Sequence, residues 1–383
     1  MQRLATNYLS VRRATKTDLS ACALLGAVLL FGPPAQSAEK WRMQYFYDRE
    51  ESSVAFTDIA CPSAQRCVAA GVLQEGKRDK GVVVVTSDGG ATWQVEDVKE
   101  HPLSLFFLNE NKGWMVTDRG IWETDETGRG WKKIKDAKDI ERVCFVTANH
   151  GWAVGAPKLV LETTDAGHKW TTVAEAEKAP TAPDNTVYHW ITFPNPKQGL
   201  IVGSWQLPRN PREIPDWMAP DRAKYRHEYP STTIILQTID GGTTWTQLSR
   251  SMEGLLTRFR FGKGDYGLAL IEYPSSADVA SELFKMDLKA AKNTSIYREP
   301  SRVVRDFAVL PDGDAIIAAT ERQGKFNALP IPGKLKMMRS GSLTSWIDMD
   351  VDYRAVAGRA TIAAADAHNV WVATDTGMIL KLQ

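Results

Sequence analysis

The chain has 383 residues, 43% of them hydrophobic and 24% charged, with a formal net charge of +1. That balance belongs to a globular protein with a sizeable core and excludes a disordered or fibrous chain. A charge so near zero gives no electrostatic case for binding nucleic acid or a strongly anionic membrane surface.

In chain order, the first predicted element is an export signal. Arg3, Arg12, Arg13 and Lys16 form a basic region, and Ala21 to Phe31 is an apolar run too short to span a bilayer. Gly32-Pro33-Pro34 breaks it, and Ala35-Gln36-Ser37-Ala38 offers small residues for cleavage. The expected organisation is a signal peptide over 1–38 and a single domain over 39–383. No second apolar run follows, so the expected product is exported to the periplasm with no transmembrane segment. No cysteine stands at the cleavage site, so lipid anchoring there is not expected. Of the four cysteines, Cys22 leaves with the signal. Cys61 and Cys67 are expected to form a local disulfide closing a strand-to-strand turn. Cys144, in an apolar strand, reads as a buried thiol.

Beyond the signal, one eight-residue pattern recurs. It runs Thr86-Ser87-Asp88-Gly89-Gly90-Ala91-Thr92-Trp93, then Thr163 to Trp170, then Thr238 to Trp245. A worn copy, Thr124 to Trp131, has Glu126 where Asp88, Asp165 and Asp240 stand in the others. A short carboxylate accepts backbone N–H bonds inside a tight turn, and glycine takes the positive-φ positions. The tryptophan that follows (Trp93, Trp131, Trp170, Trp245) starts the return strand and packs between layers. A Gly-aromatic-apolar strand precedes each box, as in Gly113-Trp114-Met115-Val116 and Gly151-Trp152-Ala153-Val154. Six residues before it lies another apolar strand end: Phe107, Phe145, Phe193 and Phe261, with Ala308 and Ala363 in the later units.

Four strands per unit at a period near 40 predict an all-β, seven-bladed β-propeller of antiparallel blades. Inner strands are expected to start near Val54, Pro102, Asp139, Thr186, Leu255, Arg302 and Tyr353. The seventh unit ends after its third strand. Lys40 to Tyr45 reads like the missing outer strand, so the N-terminal segment is expected to close the ring and remove both open edges.

The Gly-Trp strands together with Thr-x-Asp-Gly-Gly-x-Thr-Trp resemble the photosystem II stability/assembly factor family, whose members are seven-bladed propellers with Asp-box (BNR) repeats. The likeness covers nearly the whole of 39–383 and is strongest over blades one to four. Blades five and six keep only box remnants, Met286 to Lys289 and Arg339 to Trp346. The resemblance implies a non-catalytic protein that binds a polypeptide partner and assists assembly of a membrane complex; a monomer is expected.

Candidate site residues come from aligning the inner strands. Arg142, Arg258 and Arg305 fall in one column with Asp58, Ser104, Trp190 and Ala360, and His189 and Arg359 flank it. Guanidiniums near one rim of a channel would bind a carboxylate or phosphate through forked hydrogen bonds; the alternative is internal pairing with Asp58, Glu141 and Asp306. The insertion 206–230 in blade four, with Arg209, Arg212, Trp217, Arg222 and Arg226, is expected at the same rim, as are the loops 174–185, 272–281 and 320–333. Hydrolase elbows, Walker loops and dinucleotide fingerprints are absent from the sequence, and its histidines lack ligand spacing, so no catalytic, cofactor or metal residue is assigned. The alternative reading is a sialidase-like glycosidase acting on anionic sugars, with Arg142, Arg258, Arg305, Asp58, Glu272 and Tyr273 in the roles sialidases use; the Arg-Ile-Pro motif of that class is missing.

Overall fold

Each repeat becomes a four-stranded sheet because its apolar residues alternate with polar ones and each turn has the residues a tight reversal needs. The computed structural model describes residues 39–206, 218–223, 230–274, 278–289, 292–322 and 331–383. The signal peptide expected at 1–38, and Arg209, Arg212, Trp217 and Arg226, lie outside the described residues.

Seven antiparallel sheets follow one another. Their inner strands are Ser52–Ala60, Pro102–Phe107, Ile140–Phe145, Thr186–Thr192, Leu255–Phe261, Arg302–Val309 and Ala360–Ala364. Each packs beside the next, and the last packs beside the first, so they line a closed ring. The seventh sheet takes its outer strand from the other end of the chain: Lys40–Phe46 pairs antiparallel with Met378–Leu382, Trp41 opposite Leu382. The expected start of the last unit at Tyr353 is corrected to Ala360. The intervening chain supplies two short extra edges instead. Asp350–Val351 pairs parallel to the closing strand, and Val356–Ala357 pairs with the third strand of blade six. Tyr353 itself is exposed.

The Asp-boxes behave as hairpin turns. Asp88 accepts the Thr92 backbone N–H at 2.9 Å and the Thr86 hydroxyl at 2.8 Å; Asp240 repeats this with Thr244 and Thr238, and Asp165 with Lys169 and Thr163. The glycine that opens the second strand is a steric requirement. A Cβ at Gly151 would lie 2.5 Å from the Phe145 ring, and one at Gly199 2.3 Å from the Phe193 ring.

Tryptophans plug the seams between blades. Trp93 joins the cluster of Trp371 in blade seven. Trp131 packs with Val68 of blade one, Trp170 with Trp114 of blade two, and Trp245 against Trp152 of blade three. Trp346 packs with Leu268 of blade five, and Trp41 of the closing strand with Ile316 of blade six. Blade three has an outer strand of only two residues, Thr171–Thr172. The 174–185 linker, expected as a free rim loop, packs in its place: Ala176 and Ala179 are buried, and the Tyr188 hydroxyl donates to the Ala176 carbonyl.

Candidate functional site

Every inner strand from blade one to blade six carries a β-bulge, for example between Phe56 and Asp58 and between Ile140 and Arg142. Cross-strand pairing fixes which residues share a level. Asp58, Ser104, Arg142, Trp190 and Arg258 stand opposite Ala70, Val116, Val154, Val202 and Leu270. In blade six the residue at that level is Asp306, opposite Ala318, and in blade seven it is Thr361, opposite Ala373. Two members of the expected column are therefore corrected: Arg305 and Ala360 sit one residue too early. Blades six and seven have Ala315 and Val370 where blades two to five have the second-strand glycine, so the alignment slipped by one, and one residue changes the side of the strand.

Most of this level stitches one blade to the next. Asp58 accepts the Leu105 N–H at 3.0 Å, the Ser104 hydroxyl donates to the Glu141 carbonyl at 2.7 Å, and the Trp190 indole N–H donates to the Phe259 carbonyl at 2.6 Å. Asp306 accepts the Ile362 N–H at 3.1 Å. The bulge residue His189 adds a similar clasp, with Nε2 2.7 Å from the Leu256 carbonyl. Burial pushes the His189 pKa down.

The arginines are the exceptions. Arg142 and Arg258 lie over the Trp190 ring, 4.5 and 5.9 Å from its centroid, and Arg260 joins them at 5.3 Å. Arg260 was missed in the sequence; it stands two residues beyond Arg258, on the same side of the strand, and the Arg-x-Arg spacing was the signal. Each guanidinium is partly neutralised. Arg142 meets Asp58 at 3.3 Å, while Arg258 and Arg260 share Asp306 at 3.2 Å, with Glu272 3.5 Å from Arg258. Two backbone N–H groups and these arginines hold the Asp306 carboxyl below the usual range against its burial. The internal pairing weighed in the sequence is thus present, yet donors exceed acceptors. The buried Nε of Arg260 has no hydrogen-bond partner, and that of Arg258 is ion-paired with Asp306 at 3.2 Å without hydrogen-bond alignment.

Beside this cluster a cavity of about 290 Å³ opens, lined by Asp58, Phe106, Arg142, Trp190, Arg260 and Ile362 among others. A second hollow of about 210 Å³ shares Arg260, Thr192 and Ile362. Both lie toward the carboxyl ends of the inner strands. The described strand ends that flank the 206–230 and 320–333 loops, Trp205 opposite Thr186 and Glu321 opposite Arg302, are at the amino-terminal ends of the inner strands, away from these hollows.

Arg305 makes no contact with the Trp190 ring: its Nε donates to the Thr320 hydroxyl at 2.9 Å, and burial depresses its pKa, with Arg359 and Arg258 near enough to add to the effect. Arg359 is largely exposed, 3.9 Å from Asp375. Arg222 is exposed on a four-residue helix, Pro220–Ala223. Of the carboxylate–tyrosine pair considered for a sialidase, Glu272 contacts Arg258, but the Tyr273 hydroxyl donates to Glu282 at 3.1 Å and lines the seam between blades four and five. Among the described residues no group of three His, Cys, Asp or Glu could hold a metal ion. None of the described helices is long and apolar enough to cross a membrane. Cys61 and Cys67 are disulfide-bonded, and Cys144 is buried with its thiol pushed up to about 12.

A family model described as "Photosynthesis system II assembly factor YCF48" matches residues 96–189, from the outer strand of blade one to the inner strand of blade four. A curated relative, the photosystem II assembly lipoprotein Ycf48 of Synechococcus sp. (strain CC9902), is 29% identical over 107 residues; the match spans 26% of this chain and 32% of the relative. Among solved structures, YCF48 bound to D1 peptide aligns with a TM-score of 0.56 at 12% identity, covering 89% of this chain and 99% of that one. YCF48 from Cyanidioschyzon merolae aligns with the same TM-score at 14% identity, covering 90% and 98%. The chain is thus a seven-bladed propeller that is similar, over residues 96–189, to photosystem II assembly factors.

Proposed function

We propose that this chain is an exported, non-catalytic, monomeric propeller that binds a protein partner and assists assembly of a membrane complex, with the arginine-lined mouth as its docking point. The observation that carries the reading is the gathering of Arg142, Arg258 and Arg260 on the Trp190 ring beside an open cavity. Partly desolvated guanidiniums with spare donors recognise a carboxylate, either an acidic side chain or a chain terminus, through charge-assisted forked bonds. The sequence match to assembly factors supports an assembly role, and the solved relative with a bound peptide supports a polypeptide as the occupant. The relative named as a lipoprotein supports export, together with the basic and apolar segments before Ala38. Neither nucleic acid nor a cofactor is part of the proposal.

The test is titration calorimetry with synthetic acidic peptides ending in a free carboxylate. The Arg142→Gln/Arg258→Gln double variant, checked for folding by circular dichroism, is expected to lose at least about tenfold in affinity, and binding by the unaltered protein should weaken as salt rises. Equal binding by the double variant, or turnover of glycosides that this variant abolishes, would overturn the proposal.

A further inference from the structure

Among the described residues, six of the seven seams between blades are plugged by a tryptophan from an outer strand or the turn before it; the seam between blades four and five has none at that position, its one indole being that of the inner-strand residue Trp190. In blades one to four the tryptophan stands seven residues after the threonine that ends the third strand: Thr86 and Trp93, Thr124 and Trp131, Thr163 and Trp170, Thr238 and Trp245. Met286 occupies the threonine's place in blade five, since it pairs with Gly267 as Thr124 pairs with Gly113 and Thr163 with Gly151. Seven residues after Met286 comes Asn293, exposed and opposite Met286. The facing position on the preceding blade is reduced as well. Leu200 stands where blades two and three have Trp114 and Trp152.

What remains is a groove of about 620 Å³ walled by Leu200, Leu248, Phe259, Phe284 and Met286, with Asn293 at one end. Leu248, on the edge strand Thr246–Glu253, is 45% exposed. The groove follows that strand from Thr246 to Met252, roughly 20 Å at 3.3 Å per residue. Its length suits an extended segment better than a compact molecule. Arg250 lines it, is exposed, and makes no ion pair among the described residues.

We infer that this seam binds an extended segment of a partner polypeptide that places a tryptophan ring in the vacant plug position and a carboxylate on Arg250. The ring belongs at the Asn293 end, where the other seams hold an indole between two blades. Arg250 lies four strand positions from Thr246, so the acidic residue falls about four positions from the ring in an extended chain. The site lies outside the central channel and does not rest on the reading of the arginine mouth.

The probe is a nonapeptide of serine and threonine carrying 5-fluorotryptophan and, four positions later, glutamate, followed by fluorine NMR. Titration with the full chain is expected to shift and broaden the fluorine signal. Alanine in place of the fluorotryptophan, in a competing unlabelled peptide, should remove the ability to displace the probe, and glutamine in place of the glutamate should weaken binding roughly tenfold. Asn293→Trp, which supplies the missing plug, should abolish binding and raise the melting temperature. Arg250→Glu, a surface change that leaves the sheet intact, should weaken it by roughly tenfold or more. Arg142→Gln/Arg258→Gln should leave it unchanged, which separates this site from the channel. Undiminished binding by Asn293→Trp or by Arg250→Glu would overturn the inference. So would an absence of binding, a self-associated species in sedimentation velocity that Asn293→Trp dissolves, or recovery of binding only when Trp217 is replaced by alanine.

Discussion

Replacing Trp41 by alanine tests how the ring is held shut. Trp41 is 1% exposed and belongs to a cluster that joins Ile316 and Met337 of blade six to Leu380 and Leu382 of blade seven. Its indole N–H donates to the Met349 sulfur at 3.3 Å. Truncating a fully buried tryptophan removes its transfer free energy and leaves a cavity, together about 3–5 kcal/mol. The walls of this cavity belong to different blades and are pinned by their own ladders, so collapse recovers little. Against a total stability of about 5–15 kcal/mol the loss is large. With an unfolding entropy of about 2.1 cal/mol/K per residue, each kcal/mol moves the Tm of a ring this size by roughly 1.5 °C, so a drop of roughly 4–7 °C is expected. Trp41→Phe keeps most of the volume and should lose less than half as much. The assay is differential scanning calorimetry with limited proteolysis and mass mapping. The variant should be cut first within Lys40–Phe46, because the strand is then retained only by its backbone pairing to Met378–Leu382 and Asp350–Val351 and by the smaller contacts of Met43 and Tyr45. A Tm within 1 °C of the parent, or first cleavage in another blade, would refute the idea that this residue carries the closure.

Three further outcomes are expected. Asp306→Ala leaves Arg258 and Arg260 without their shared carboxylate and removes the clasp to Ile362; urea unfolding should show about 3–5 kcal/mol of lost stability, and a loss below about 1 kcal/mol would show that the clasp is dispensable. Hydrogen bonds from Thr92 lower the Asp88 carboxyl to about 2, and similar bonds lower Asp165 and Asp240. Because these folded-state values are depressed, their contribution is present above the ordinary carboxylate value of about 4 and is lost as pH falls below it. Asp88→Asn/Asp165→Asn/Asp240→Asn should flatten stability against pH in that window, and an unchanged acid limb would contradict it. Opening the Cys61–Cys67 bridge, which spans a sequence separation of 6, by Cys61→Ala/Cys67→Ala should lower stability by about 2 kcal/mol, seen as a shifted denaturation midpoint that reductant no longer changes.

The ring was legible because its signal is repeated and local. A turn carboxylate, a glycine facing an inner-strand phenylalanine and a seam tryptophan recur at nearly fixed spacing, and each obeys a rule that acts within a few residues. The closing strand was legible for the same reason, since Lys40 to Tyr45 has the pattern of the strand after Trp93. The site was less legible because its level depends on pairing across strands. Where Ala315 and Val370 replaced glycine, the alignment slipped and put Arg305 in the place of Asp306. The stitching by Asp58, Ser104 and Trp190 involves backbone groups of the next blade, which no residue pattern marks. The 174–185 linker looked free because nothing local says that blade three lacks most of its outer strand.

The closing strand lies between Met378–Leu382 on one side and Asp350–Val351 on the other. All of its backbone partners are therefore among the last stretches to be made. During synthesis the earlier blades can build up in sequence, while this strand, with Trp41 and Met43, waits without its backbone partners for most of the translation time. Completion of the disc is thus a single late event. A chain stopped short of Asp350 would carry six blades and two sticky ends, a species that quality control can tell from the finished product by the unpaired strand Lys40–Phe46 alone.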